Sequence, residues 1–344
     1  MIVHDLILAT RRRHLTGIER FAINVFKASA ATATDVIALV SPGSPLVHHD
    51  NVVTVESAAS WAAVAGYLRP SDACRGLICA AFPAGPTMLL NRIPIVRVIH
   101  DAFAWTRPQN LSWQGRLMFA KWDRLALRRY AHVFAPSQIA RDELVDVLPR
   151  KDIKVCGNAP GMDLTSSKMA PISQLEGKTF LLAVGTAEPR KNYERLIAFA
   201  DATADGPMIV VVGRSGWGET AGRLHAAQTR MPQRFLWLQD IDDAGLRWLY
   251  RHCAAFISLS HAEGFNMPLV EAGVTGCPIV CSDIPIHAAV APHWAVRVRD
   301  DISNEALAQA LHAGTRPQTI EVEGYRVRHD WQTIAQAIEA PLRA

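Results

Sequence analysis

Short apolar runs alternate with longer amphipathic stretches along most of this chain. The runs are rich in Val, Ile and Leu, as in buried strands of a parallel sheet, whereas the stretches between them have helical periodicity. This alternation predicts an α/β fold. The predicted strands are Ile2–Leu8, Asp35–Val40, Leu77–Ala80, Ile95–His100, His132–Ala135, Ile153–Val155, Phe180–Val184, Met208–Val212, Phe235–Leu238, Ala255–Leu259 and Pro278–Ser282. The predicted helices include Gly17–Ala28, Ser137–Leu148, Asn192–Thr203, Ala244–His252 and Pro268–Val274.

A polar segment divides this pattern into two halves. Leu164–Lys178 contains a proline and a glycine and has no clear periodicity, so we interpret it as a linker between two doubly wound, Rossmann-like domains. A length of 344 residues also favours two domains. We expect the domains over residues 1–165 and 176–325, facing each other across an interdomain cleft where the carboxyl ends of both sheets meet.

The composition excludes several classes of protein. With 49% apolar and 20% charged residues, the chain is folded and globular. A net charge of +4 is too small to indicate nucleic-acid binding. No apolar run reaches the roughly 18 residues that span a bilayer, and the first apolar stretch precedes its arginines, the reverse of a secretory signal. The six cysteines are scattered without a CxxC pair, which argues against a disulfide framework or zinc site and fits a reducing cytoplasm.

The segment Ala255–Asp283 carries the strongest chemical signal. A buried strand leads into a polar loop, after which Pro268 suits the first position of a helix and Gly276 suits its left-handed end. The backbone N–H groups around Phe265–Leu269 should therefore be free and point out of the carboxyl edge of the sheet. Free N–H groups at a helix start form an anion site.

Two carboxylates flank this predicted anion site. Glu263 lies in the loop, and Glu271 lies about one turn inside the helix. Carboxylates beside a phosphate site are costly unless they bind hydroxyl groups, and acidic side chains accept paired hydrogen bonds from sugar diols. Each glutamate alone also fits a solvated surface position. The surrounding loop, proline, glycine and second strand favour a binding site.

Two further loops follow predicted strands of the second half. Arg190 and Lys191 lie in the turn after Phe180–Gly185, where adjacent cations can neutralise a diphosphate, although basic residues in a turn are often merely solvated. Gly213 ends the next strand without a GxGxxG pattern, so a dinucleotide fingerprint is not supported. We interpret Gly213 and Arg214 as a close backbone approach to a nucleotide, with a simple tight turn as the alternative.

The first half offers two candidates. His100 and Asp101 end a predicted strand and would face the cleft, although a lone histidine is also common in a core. In the turn HLTGIERF, Gly17 allows the backbone to approach a ligand, and Thr16 can cap the following helix.

These motifs together resemble the retaining glycosyltransferase family 4, of GT-B fold, along nearly the whole chain. AVGTAEPRKNYERLI is similar to the family's Gly-Thr-x-Glu-Pro-Arg-Lys-Asn signature, and EGFNMPLVEAGVTGCPIVCSD contains its two glutamates separated by seven residues. LTGIERF, VIHDAFAWTRP, VFAPSQIARDEL and VCGNAPGMD resemble the family more weakly. The closing YRVRHDWQTIAQAI resembles the C-terminal helix that crosses back to the first domain, which implies such a helix over residues 326–344.

The resemblance implies a role for each candidate residue. Glu271 would bind the nucleotide ribose, and Glu263 would hold donor-sugar hydroxyls near the reaction centre. Arg190 and Lys191 would clamp the diphosphate, and His100 would reach the donor sugar from the first domain. The other implied donor-binding positions are Gly17 beside the phosphates, Phe265, Asn266, Met267 and Leu269 in the glutamate loop, Gly213 and Arg214, and Ile241 in the base-recognising segment Gln239–Ile241.

One departure from the family's motif concerns selectivity for the donor sugar. Asn266 and Met267 stand where the family usually has Gly-Leu, so sugar selectivity is expected to differ from the family's average. Because the family uses backbone amides at these positions, the function itself can survive the change.

The implied reaction transfers a hexose, with mannose expected first, from a nucleoside diphosphate sugar to a saccharide or lipid-linked acceptor in surface polysaccharide or glycolipid synthesis. GDP-mannose is expected by analogy with mannosyltransferases. No cofactor and no metal is expected, because there is no suitable Asp-x-Asp motif and cationic side chains can carry the leaving-group charge. The alternatives are a GT-B sugar-nucleotide epimerase or hydrolase and a non-catalytic sugar-nucleotide-binding protein.

The stretch Leu111–Val133 is both basic and aromatic. Its basic residues are Arg116, Lys121, Arg124, Arg128 and Arg129, and its aromatic residues include Trp113, Phe119 and Trp122. One interpretation is an amphipathic helix on the first sheet with a solvated basic face. The other is contact with anionic lipid or a lipid-diphosphate acceptor, to which Arg11–Arg13 could add. We therefore expect a cytoplasmic protein that can attach peripherally to the inner face of the cell membrane.

Overall fold

A computed structural model of the chain describes residues 1–11, 15–68, 74–163, 166–203 and 205–344. These residues form two compact units: unit 1 comprises Met1–Gly161 and Asp330–Ala344, and unit 2 comprises Met162–His329. The start of the predicted linker, Leu164, and two residues of the basic run, Arg12 and Arg13, lie outside the described residues. Both units have the α/β architecture predicted from the alternation of apolar runs and amphipathic stretches.

Unit 1 is built on seven parallel strands. They are β1 (Ile2–Leu6), β2 (Val36–Val40), β3 (Val52–Thr54), β4 (Gly76–Cys79), β5 (Ile95–Val98), β6 (His132–Ala135) and β7 (Lys154–Val155). The strands lie in the order β3-β2-β1-β4-β5-β6-β7, and helices connect most of them. The helices are α1 (Gly17–Thr32), α2 (Phe103–Thr106), α3 (Trp113–Gly115), α4 (Asp123–Ala126) and α5 (Gln138–Val147). A π-helical stretch, Arg116–Trp122, joins α3 to α4.

A buried ion pair holds the segment around α4 against the sheet of unit 1. Arg97 on β5 donates from Nη2 to Asp123 on α4 at 2.8 Å, and from Nη1 to the carbonyl oxygen of Cys79 at 3.0 Å. Tyr130 Oη donates to the same carboxylate at 2.8 Å. Arg97 is 2% exposed and Asp123 1% exposed, so each charge depends on these partners.

Unit 2 is built on six parallel strands. They are β8 (Phe180–Val184), β9 (Met208–Val212), β10 (Phe235–Leu238), β11 (Ala255–Ser258), β12 (Ile279–Ser282) and β13 (Val296–Val298). The helices are α6 (Tyr193–Ala202), α7 (Thr220–Arg230), α8 (Asp243–His252), α9 (Met267–Val274), α10 (Pro285–Val290), α11 (Asn304–Ala313) and α12 (Thr319–Val327). The final helix, α13 (Trp331–Arg343), belongs to unit 1.

The strand order of unit 2 determines where a ligand can bind. The order is β10-β9-β8-β11-β12-β13, so the direction of winding reverses between β8 and β11. In doubly wound sheets a crevice opens at this reversal, outside the carboxyl ends of the two strands. The loops that follow β8 and β11 are the two that carry Arg190, Lys191 and Glu263.

The predicted strands were confirmed closely where apolar runs were continuous. The bounds of β6, β8, β9 and β10 are those predicted from the sequence. The pattern missed β3 and β13, because each has only three residues and both are partly exposed. One detail of α9 was wrong: the helix begins at Met267, so Pro268 occupies its second position and not its first.

Among the residues that the structure describes, no helix combines the length and apolarity needed to cross a membrane.

Candidate functional site

The loops after β8 and β11 meet through a cluster of charged side chains. Lys191 Nζ donates to Glu263 Oε1 at 2.7 Å, and Arg190 Nη1 donates to the other carboxylate oxygen. The backbone joins the loops as well, since the amide of His261 donates to the carbonyl oxygen of Arg190 at 2.9 Å. Glu263, which was predicted to bind the donor sugar, therefore contacts both Arg190 and Lys191, which were predicted to bind the diphosphate.

Glu263 is held in its charged form. Burial by itself raises the pKa of a carboxyl group, but the positive charges of Arg190 and Lys191 outweigh it and hold the pKa of Glu263 at about 2. Ser260 Oγ also donates to the carboxylate, at 2.7 Å. At neutral pH the side chain is a buried anion, only 6% exposed, whose oxygens can act only as hydrogen-bond acceptors.

Lys191 reaches Glu263 because residue 185 is a glycine. The φ angle of Gly185 is +151°, and a Cβ there would lie 2.8 Å from Lys191 Cε and 3.1 Å from Tyr193 Oη. Any other residue at this position would therefore push the lysine away from the glutamate. Burial lowers the pKa of the Lys191 ammonium, and the carboxylate of Glu263 opposes that shift.

Glu188 is a functional candidate that the sequence reasoning missed. Its Oε1 pairs with Arg190 Nη2 at 2.6 Å, and its Oε2 accepts from Trp217 Nε1 at 2.7 Å. Arg190 is thus shared between two carboxylates, Glu188 and Glu263, which fix the plane of its guanidinium group. The signal was present in the sequence, because Glu188 lies inside the Glu-Pro-Arg-Lys-Asn motif.

Glu271 lies on α9 with its carboxylate buried. Its Oε2 accepts from Tyr250 Oη at 2.9 Å, and its Oε1 accepts from the amide of Met162 at 3.3 Å. Tyr250 on α8 and Met162, the first residue of unit 2, thus fix the orientation of the Glu271 side chain. Its role with a ribose stays a prediction.

The loop before α9 presents amides as predicted, but fewer of them. Within the described part of the chain, the N–H groups of Phe265 and Met267 have no hydrogen-bond partner. The N–H of Leu269 is not free as predicted, because it donates to the carbonyl oxygen of Asn266 at 3.0 Å, and the side chain is fully buried. The bond from Leu269 to Asn266 is of the 3₁₀ type, so the first turn of α9 is tighter than an α-helical turn. The turn begins at Asn266, whose φ angle of 69° lies in the left-handed region. The role of Leu269 in donor binding stays a prediction.

The structure explains Gly213 by packing. A Cβ at Gly213 would lie 1.9 Å from the carbonyl oxygen of Gly185, which directly follows the neighbouring strand β8, so only glycine fits there. Arg214 pairs with Asp240 at 2.5 Å, with both side chains about half exposed. Ile241 is half-buried in the loop that follows β10. The roles of these residues in nucleotide binding stay predictions.

The two candidates in unit 1 lie at the carboxyl edge of its own sheet. His100 Nε2 donates to the carbonyl oxygen of Ala80 at 2.8 Å, and its ring packs against Phe21 in a T-shaped arrangement with 4.8 Å between centroids. Burial lowers the pKa of His100 to about 4, only partly offset by the bond to Ala80, so the ring is neutral at pH 7. Gly17 starts α1, and a Cβ there would contact no atom within 4 Å.

Two protein-family models match the chain. The model described as glycosyl transferases group 1 matches residues 166–314, and the model described as glycosyltransferase family 4 matches residues 76–160. Together they cover more than half of the chain, the first within unit 2 and the second within unit 1.

Curated relatives are mannosyltransferases. The serotype-specific mannosyltransferase WbdA of Escherichia coli is 29% identical over 40% of this chain and 17% of its own length, so this chain spans less than a fifth of the first relatives that it matches. The O-antigen chain mannosyltransferase RfbU of Salmonella typhimurium is 23% identical over 72% of this chain and 70% of its own length. The GDP-mannose:cellobiosyl-diphosphopolyprenol alpha-mannosyltransferase of Xanthomonas oryzae is 24% identical over 92% of this chain and 90% of its own length.

Solved structures share the fold. Sucrose-phosphate synthase from Thermosynechococcus elongatus has a TM-score of 0.76 at 16% identity, covering 99% of this chain and 98% of its own. HepE of Anabaena in complex with UDP-glucose has a TM-score of 0.73 at 20% identity, covering 99% of both chains. At these identities the likeness concerns architecture, which is GT-B.

Proposed function

Since this chain belongs to glycosyltransferase family 4, we propose that it is a retaining transferase that moves mannose from GDP-mannose to a saccharide or lipid-linked acceptor. The product would be a surface polysaccharide or glycolipid. The names of the mannosyltransferase relatives support mannose, and the name of the Xanthomonas oryzae relative supports GDP-mannose as donor.

The contact of Arg190 and Lys191 with Glu263 carries the proposal. Without a ligand, the two cations are neutralised by Glu263 and Glu188, which keeps them in place in a partly buried crevice. A nucleoside diphosphate would bring its own negative charge to these cations and leave Glu263 available to accept hydrogen bonds from sugar hydroxyls. As the bond to the sugar breaks, the same cations would stabilise the charge that develops on the diphosphate.

A thermal-shift series tests the donor. We expect GDP, and neither UDP nor dTDP, to raise the melting temperature of the wild-type protein by about 5–10 °C at roughly 100 times its Kd, because a ligand that binds only the folded state stabilises it by mass action. Lys191→Met should weaken GDP binding about 10- to 100-fold, since a charge-assisted hydrogen bond is lost. Arg230→Met, which breaks the surface pair with Asp201, serves as the control. Equal shifts for all nucleotides, or none, would contradict the proposed donor.

Turnover assays separate the alternatives. A transferase releases GDP from GDP-mannose in proportion to added acceptor, whereas an epimerase or hydrolase releases free sugar without one. A non-catalytic binding protein would give a thermal shift and no turnover.

We also propose that the face around Trp113 contacts an anionic membrane from the cytoplasmic side. Trp113, Leu117 and Leu125 are 72%, 54% and 63% exposed, with Lys121, Arg124 and Arg128 exposed in the same segment. Apolar side chains among cations suit the interface of a bilayer that carries negative charge.

Two aromatic residues of that segment face inward instead. Trp122 Nε1 donates to the carbonyl oxygen of Ala84 at 2.9 Å, and the ring of Phe119 packs against Phe82 at 5.7 Å between centroids. They hold the segment on unit 1 and leave Trp113 as the exposed aromatic residue of the proposed membrane face.

Vesicle sedimentation tests the membrane proposal. We expect binding to vesicles containing phosphatidylserine at low salt, weak binding at high salt, and none to neutral vesicles, because the attraction is screened within a Debye length. The double variant Trp113→Ser, Leu117→Ser should reduce binding several-fold with nucleotide binding unchanged. The pair Val53→Ser and Ile320→Ser, which changes exposed apolar residues elsewhere, is the matched control. No binding to anionic vesicles at low salt would refute this face as a membrane contact.

A further inference from the structure

The side-chain amide of Asn266 is oriented by His287. The imidazole of His287 is fully buried, and its Nδ1 lies 2.9 Å from the carbonyl oxygen of Ser282. A carbonyl oxygen can only accept, so Nδ1 carries the proton. Burial lowers the pKa of His287, which keeps the ring neutral and leaves Nε2 as an acceptor. Asn266 Nδ2 lies 2.7 Å from Nε2 and therefore donates to it.

The second hydrogen of the Asn266 side-chain amide begins a chain of hydrogen bonds that ends at the carboxylate of Glu263. Asn266 Nδ2 donates to Ser258 Oγ at 2.9 Å, and Ser258 Oγ lies 3.4 Å from Ser260 Oγ. Ser260 Oγ in turn donates to the Glu263 carboxylate. Because the carboxylate can only accept, every hydroxyl in the chain donates towards it, and Ser258 receives from Asn266. Both neighbours of Nδ2 thus require it to be the donor.

One polar atom is left over by this arrangement. Asn266 Oδ1 is buried and has no hydrogen-bond partner among the described residues. Rotating the amide would satisfy Oδ1 only by placing it against the lone pair of His287 Nε2. A buried acceptor without a donor is rare in folded proteins and calls for a ligand or a water. Asn266 itself lies in the loop between Glu263 and α9, at the position directly before the helix.

We propose that Asn266 Oδ1 accepts a hydrogen bond from a hydroxyl of the donor sugar and makes Asn266 a specificity-determining residue. His287 and Ser258 act through it as positioning residues. This inference rests on the proposed function, since it assigns a group to the sugar of the same donor. It adds a side-chain contact at a position where only the backbone amide was expected to bind.

Calorimetric titration of nucleotide and sugar nucleotide tests the proposal. The probes are GDP and GDP-mannose, with UDP and UDP-glucose in parallel, so that whichever pair the wild-type protein binds is used. Asn266→Gly removes the side chain without backbone strain, because φ at this position is 69°. We expect the affinity for the sugar nucleotide to fall about 3- to 10-fold, the value of one neutral hydrogen bond, and the affinity for the nucleoside diphosphate to stay within about twofold.

His287→Phe keeps a ring in the core but removes the acceptor that orients the amide. We expect it to lower the ratio of the affinity for the sugar nucleotide to the affinity for the nucleoside diphosphate. The double variant should have the same ratio as Asn266→Gly alone, because both changes remove one and the same contact. A purely structural role for His287 would lower the melting temperature and leave the ratio unchanged, which would overturn its assignment.

The outcomes distinguish this inference from the function it rests on. An unchanged ratio in Asn266→Gly, in a protein that binds the sugar nucleotide, refutes the Asn266 contact alone and leaves a buried water as the partner of Oδ1. Failure of the wild-type protein to bind any of the four probes refutes the proposed function and this inference together.

Discussion

Donor turnover is expected to fall about 100- to 1000-fold when Glu263 is replaced by glutamine, the size of effect seen when one directed electrostatic contact is removed from a catalytic site. Glutamine keeps the volume of the side chain but carries no charge. It would offer Lys191 a single neutral acceptor, and its own N–H groups would point at the cation Arg190 or at Ser260. The buried Lys191 and the half-buried Arg190 would then lose their shared counter-ion.

The release of GDP from GDP-mannose, followed with excess donor, measures this effect. Glu219→Gln is the matched control, because Glu219 makes an exposed pair with Arg223 in the same unit. Glu263→Ala should lose at least as much activity as the glutamine variant. Turnover at the wild-type rate in either Glu263 variant would refute the assignment of this site.

The second large effect concerns stability. Replacing Asp123 by alanine should lower the free energy of unfolding of unit 1 by about 3–5 kcal/mol, because the Arg97 guanidinium would remain buried without its counter-charge. The hydroxyl of Tyr130 would lose its acceptor as well. Removing both charges together, as Arg97→Met with Asp123→Leu, should recover much of the loss, since two apolar side chains leave no charge unpaired.

Urea denaturation followed by hydrogen exchange in peptides of β5 and α4 measures this loss within unit 1. Asp142→Asn is the control, because its pair with Arg141 lies on the surface, and we expect no measurable change in the urea midpoint. A single variant Asp123→Ala as stable as the control would show that the buried pair does not hold the α4 segment on the sheet.

Local chemistry along the chain determined most of the architecture. Continuous β-branched runs such as Met208–Val212 are typical of strands buried on both faces, and the sequence placed this strand at the right residues. The same periodicity put Arg190, Lys191 and Glu263 in loops that follow strands, which is the ligand-binding edge of any parallel sheet. Short, partly exposed strands such as Val296–Val298 were missed because their side chains carry little of that signal.

The tertiary structure alone decided how those loops meet. Strand order is not encoded in the period of apolar residues, so only the pairing of β8 with β11 could show that Glu263 lies between Arg190 and Lys191. The same holds for His287 and Asn266, which are 21 residues apart and meet only because α10 and α9 follow neighbouring strands. The sequence determined which residues lie at the carboxyl edge of each sheet, whereas the order of the strands in the sheet determined which of these residues contact each other.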